Sequence, residues 1–181
     1  LYQKSVHLFA KAYKHLRSSD LPKAALAVQL SIHAYYELDT EESLHQAFSL
    51  SQKLSSKHPE LYQAIEKKDE ILYLQGLIAA ELFQKKPNHI LSAALDESCE
   101  QLLASYPNSP YADQILFMCA YMHYQAKDFE KAQKQFYQLV STYSQSELMP
   151  KALYWLAEVV EWQGKDHKLV QDLRKRLFTL Y

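Results

Sequence analysis

Glycine is nearly missing from this chain, with two residues in 181. All-β folds with tight hairpins and glycine-rich phosphate loops both draw on backbone with positive φ, which glycine adopts without steric cost, so this scarcity argues against both. Cysteine is equally sparse. Cys99 and Cys119 are too few for a disulfide framework or a four-cysteine zinc site, and they read as two small buried apolar side chains. No run of about eighteen apolar residues occurs, so no segment reads as membrane-spanning. An excess of one charge is also lacking: the formal net charge is −1, which supplies no field to attract phosphate backbones and argues against a nucleic-acid partner.

What remains is a chain with 48% hydrophobic and 23% charged residues, long enough to bury a core. Its apolar residues recur at helical spacing. Val6, Phe9, Ala10, Tyr13 and Leu16 predict a helix from Tyr2 to about Arg17. Ser18, Ser19 and Asp20 then supply a turn and an N-cap for a helix to about Tyr36, with Pro22 in its first turn. Asp39 to Glu42 has the form of a capping box opening a third helix, which His58 and Pro59 end near Lys57. Helical patterns follow from Glu60 to about Gln84, with a break expected near Asp69, and from Ile90 to Ser105. Three more run from Pro110 to about Ala126, Phe129 to Thr142 and Pro150 to about Gln163. Gly164 is then a C-cap and Asp166 opens the last helix. The expectation is an all-α chain of about eight or nine helices.

The stretch Leu102 to Asp113 sets a period. Tyr106 closes one helix, Pro107 prevents its continuation, Ser109 is placed to cap the next, and Pro110 suits its first position. Tyr106 returns as Tyr143 after 37 residues, Cys99 aligns with Phe136 and Leu116 with Leu153; Tyr181 ends the chain on the same motif. A small residue marks one place in the first helix of each pair (Ala12, Gly76, Ala120, Ala157) and another in the second (Ala24, Ala132). Hairpins of this kind cannot bury their apolar faces alone and must stack.

Leu116, Ala120, Ala132 and Phe136 within Asp113 to Ser146 resemble the signature of the tetratricopeptide repeat, with His123, Ser144 and Val170 as departures from it. The resemblance implies an α-solenoid of stacked antiparallel hairpins in a right-handed superhelix. It divides the chain into an N-terminal hairpin (1–38), a divergent helical segment (39–69), a hairpin with a long inter-helix turn (70–108), a repeat (109–146) and a truncated C-terminal repeat (147–181). The wording Tyr-Pro-Asn-Ser-Pro-Tyr-Ala-Asp, at a period of 37, resembles the longer repeats of bacterial envelope proteins, namely the outer-membrane barrel-assembly lipoprotein and the Tol-Pal-associated periplasmic protein. Since the sequence begins at Leu1 rather than Met and stops at Tyr181 in mid-motif, it is expected to be a fragment, with any signal or lipid-attachment cysteine upstream.

In repeats of this kind the first helices line a concave groove. Carried onto this chain, the resemblance implies a partner-binding groove of Phe9, Tyr13, Tyr73, Leu77, Phe117, Tyr121, Tyr154 and Glu158, extended by Tyr124, Glu161 and Trp162. Mostly aromatic, such a lining suits a peptide or partner helix. It lacks the Lys, Asn and Arg set with which related repeats clamp a terminal carboxylate. No catalytic, cofactor or metal set is expected. Asp96, Glu97 and Glu100 read as a solvated helix face, no His-Glu-x-x-His pattern occurs, and His7 and His15 stand two turns apart. The functional expectation is a non-enzymatic protein-interaction scaffold, in the periplasm or on the periplasmic face of the outer membrane. The alternative is a cytoplasmic sensor or assembly module of a larger regulator or enzyme. Leu177, Phe178 and Tyr181 on the last helix suggest self-association through that edge.

Overall fold

A computed structural model describes residues 2–16, 19–164 and 166–179. Among these residues it contains ten α-helices and no strand: α1 (Tyr2–Leu16), α2 (Leu21–Tyr36), α3 (Glu41–Lys57), α4 (Pro59–Ala64), α5 (Lys68–Lys85), α6 (His89–Ser105), α7 (Ala112–Gln125), α8 (Phe129–Thr142), α9 (Met149–Gln163) and α10 (His167–Phe178). The all-helical expectation holds. The side chains of Val6, Tyr13 and Leu16, and the whole of Arg17, Ser18 and Tyr181, lie outside the described residues. None of the described helices is long and apolar enough to cross a membrane.

Short polar side chains set the helix starts. Asp20 accepts from Lys23 N (3.1 Å), Asp128 from Lys131 N (3.3 Å) and Asp166 from Leu169 N (2.9 Å). Asn88 Oδ1 accepts from both Ile90 N and Leu91 N at the head of α6. Each such cap is worth about 1 kcal/mol against alanine. Gly164 closes α9 in the left-handed region at φ 64°, the conformation that favours glycine at a C-cap.

Three boundaries differ from expectation. The capping box of α3 is Thr40 with Ser43, each side chain bonded to the other's backbone amide, while Asp39 sits one residue outside it at φ 47°. The expected break in the fourth helix falls at 65–67, where Ile65 turns extended (ψ 127°), and the pattern divides into α4 and α5, giving ten helices. Leu61 before that turn and Ile65 at its first position are both buried, so the pause keeps an apolar period that the sequence reads as continuous helix. Finally, α7 begins at Ala112 rather than Pro110, because Ser109 bonds Tyr111 N in a turn before the helix.

The chain divides into two compact units, Leu1–Ser98 and Cys99–Tyr181, with the division falling inside α6. In the first unit α1 packs on α2, α2 on α3 and α3 on α5, with α4 against α2 and α3. Helix α5 is buried on nearly every side, including Gly76 and Gln75. Polar pairs tie α2 to it: Glu70 accepts from Gln29 Nε2 (3.4 Å) and faces His33 Nε2 (3.5 Å), and Tyr36 Oη donates to Glu81 (2.7 Å). Burial, then that carboxylate, push the Tyr36 phenol above its ordinary range.

In the second unit α7 packs on α8, α8 on α9 and α9 on α10, and α7 also touches α9. Ala120, Ala132 and Ala157 are buried where the helices approach one another, and Phe136 is fully buried. Two junctions are built bond for bond alike. Tyr106 N donates to Leu102 O (2.7 Å), Ser109 N to Tyr106 O (3.0 Å) and Ala112 N to Ser109 O (3.1 Å); 37 residues on, Tyr143, Ser146 and Met149 repeat these bonds at 2.9, 2.9 and 3.1 Å. Ser109 Oγ accepts from Tyr111 N and Ser146 Oγ from Leu148 N. The junctions also touch: Tyr143 Oη donates to Pro107 O (3.1 Å) and Ser146 Oγ donates to the Asp113 carboxylate.

Candidate functional site

Helix α7 carries Phe117, Tyr121 and Tyr124 at successive turns, so the three rings share one face. Beside it, α9 presents Tyr154 and Trp155. Trp155 joins the two helices. Its ring lies 5.0 Å from Tyr121 in an edge-to-face contact, 4.8 Å from Tyr124 and 5.2 Å from Tyr154. Tyr124 also meets Phe129 at the start of α8 (6.0 Å), and Phe129 stacks on Trp162 (6.5 Å, 11° between planes). At the other end Phe117 stacks on Tyr121 (6.4 Å) and sets its edge against the buried Phe136 (5.7 Å). Aromatic pairs of this kind contribute about 0.5–1.5 kcal/mol beyond the area they bury.

Burial grades along this cluster. Phe117, Tyr121, Tyr124, Phe129 and Trp155 are half-buried, whereas Tyr154 is 47% exposed and Trp162 68%. The inner rings build a stiff platform and the outer two are left to solvent, an arrangement that offers large contact area with few rotamers to freeze. Phe117, through Phe136, belongs as much to the core as to the face.

The two helices that carry this face are poor in cations. Helix α7 has no lysine or arginine and α9 has only Lys151, while Glu158 and Glu161 stand on α9 beside the rings. Arg174 reaches them from α10, 3.6 Å from Glu158 and 2.5 Å from Glu161. His123, at the place where the repeat signature has tyrosine, is buried, with Nδ1 4.0 Å from Asp128.

Of the residues expected to line a groove, Phe117, Tyr121, Tyr124, Tyr154 and Trp162 thus meet in one cluster, with Glu158 on its α9 side. Phe9, on α1, and Tyr73 and Leu77, on α5, are half-buried in the first unit; the Tyr13 side chain is outside the described residues. Trp155 and Phe129 escape the sequence reading although they connect the cluster. Trp155 and Trp162 are seven residues apart, a spacing that puts both on one helix face and was the available signal. The first unit has cavities of its own. One of about 510 Å³ is lined by Ala10, Val28, Tyr35 and Leu50 among others, and one of about 350 Å³ by Leu26 and Ile65 with charged neighbours.

No curated protein gives a significant match to the chain. Residues 49–177, more than two thirds of the chain, match the family described as the tetratricopeptide repeat-like domain.

Proposed function

Because the chain belongs to the tetratricopeptide repeat-like family, whose domains are generally non-catalytic scaffolds for protein partners, we propose that it holds a peptide or partner helix on the aromatic face of α7 and α9. The observation that carries this reading is the Trp155-centred cluster. Five rings lock one another in place, and two more large side chains, Tyr154 and Trp162, stand exposed at its border. Covering a large apolar side chain contributes about 1.5–3 kcal/mol, so a partner that buries both outer rings gains a usable share of its affinity there. The reading extends to a bacterial cell-envelope assembly, in the periplasm or on the periplasmic face of the outer membrane, on the likeness of the Leu102–Asp113 junction to envelope-type repeats.

Site-specific photocrosslinking tests both parts. With p-benzoylphenylalanine in place of Tyr154, cells making the full protein should yield a discrete crosslinked partner. The same group in place of Tyr137, a more exposed tyrosine on α8, should not. Equal crosslinking from the two positions would discard the face. Recovery of the protein in the cytoplasmic fraction would discard the envelope setting while leaving the face in place.

A further inference from the structure

Tyr154, Glu158 and Trp162 follow one another at intervals of four residues on α9, so they form a stripe with steps of about 6 Å along one helix face. The stripe reads ring, carboxylate, ring. Both rings are exposed, and the Glu158 and Glu161 side chains keep 25% and 46% of their surface. Neither α7 nor the body of α9 supplies a cation to this face, since Lys151 sits in the first turn of α9. Among the described residues, the cation that reaches the two glutamates is a guanidinium, that of Arg174, delivered from α10.

We infer that this stripe receives an arginine side chain of the bound peptide, and that Arg174 competes for the same carboxylates. The inference rests on the aromatic face being the binding surface and names the chemistry of its partner: an apolar peptide carrying arginine. A guanidinium is planar and weakly hydrated, so it forks onto a carboxylate while stacking on a neighbouring ring; an ammonium pairs with the carboxylate as a point charge without the fork, and meets a ring as a cation without a plane to stack. Arg174 shows which group the two glutamates take. Its own side chain is 47% exposed, and ion pairs so open to water are held weakly, so a ligand arginine displaces it at little cost.

Both tryptophans of the chain, Trp155 and Trp162, lie on this face, so tryptophan emission reports its occupancy. The full chain is titrated with blocked peptides of about ten residues, built from Ala, Leu and Pro, with a central Arg, Lys, Gln or Glu. The Arg peptide should bind about tenfold tighter than the Gln peptide, with Lys between them and Glu weakest. Glu158→Gln with Glu161→Gln should erase the Arg preference and leave the Gln peptide's affinity unchanged. Arg174→Gln should tighten the Arg peptide about threefold without changing the Gln peptide. Equal binding of the Arg and Gln peptides, or an Arg174→Gln variant that binds the Arg peptide no more tightly, overturns the arginine assignment and spares the face. If no peptide changes the emission up to about 1 mM, the face itself is not a peptide site and both readings fall.

Discussion

The junctions at Leu102–Ile115 and Leu139–Ala152 make the same backbone hydrogen bonds from different residues. The first carries Pro107 and Pro110; the second has Ser144 and Glu147 at those places. Common to both are the tyrosine that ends the first helix and the serine whose hydroxyl accepts an amide two residues on. Proline forbids continuation of a helix, but the second junction stops without it, so the serine turn is sufficient and the prolines only reinforce it. The copies differ more inside than at the surface. Phe136 fills its place in the second, and the thiol of Cys99 fills the matching place in the first.

That internal difference offers the largest break. Phe136→Ala should cost about 3–5 kcal/mol, because it removes the largest fully buried ring and the edge contact that steadies Phe117, whereas Cys99→Ala should cost about 1 kcal/mol. Chemical denaturation followed by tryptophan emission measures both, since both tryptophans lie in this unit. Similar losses from the two substitutions would mean that the copies are packed alike.

The junctions are separated by a paired substitution. Ser146→Ala strips the turn and the bond to Asp113 and should cost about 1–2 kcal/mol, while Pro107→Ser, which copies the second junction into the first, should stay within about 0.5 kcal/mol. A Pro107→Ser loss matching that of Ser146→Ala would restore proline as the determinant.

The smallest effect is pH-dependent. Burial first, and then the Asp113 charge, raise the Tyr143 phenol, so the folded state holds that proton more tightly than the unfolded chain. Its contribution is complete below the unfolded value of about 10 and is lost as pH climbs from there through the folded value. Tyr143→Phe, which forgoes the bond to Pro107 O at a cost of about 0.5–1 kcal/mol near neutrality, should therefore flatten the alkaline limb of stability against pH. Tyr36, raised in the same direction, should leave a residual slope in that variant. An unchanged alkaline limb would show that Tyr143 titrates as it does in the unfolded chain.

Much of this was legible because it is local. Asp20, Asp166 and Gly164 cap the helices they were expected to cap, and the 37-residue spacing survives as matching hydrogen bonds. Of the small residues that mark the repeat, Gly76, Ala120, Ala157, Ala24 and Ala132 are buried and Ala12 is half-buried. What escaped depends on neighbours distant in sequence. Ile65 keeps the apolar period of a helix while its backbone is extended, and periodicity cannot distinguish the two. Trp155 acquires its importance only when α9 lies beside α7, and Phe117 divides itself between face and core only when α8 brings Phe136 against it. For that reason Tyr154 and Trp162, rather than Phe117, are the positions at which the face can be altered without disturbing the core.

Cys99 and Cys119 stand in the second unit with almost no surface, one on α6 and the other on α7. A thiol so placed is shielded from reagents in water until the helices around it part. The two sulfurs are therefore a built-in clock: their modification rate under native conditions counts the openings of the packing that buries them, including those too brief and too rare for an equilibrium melt to register.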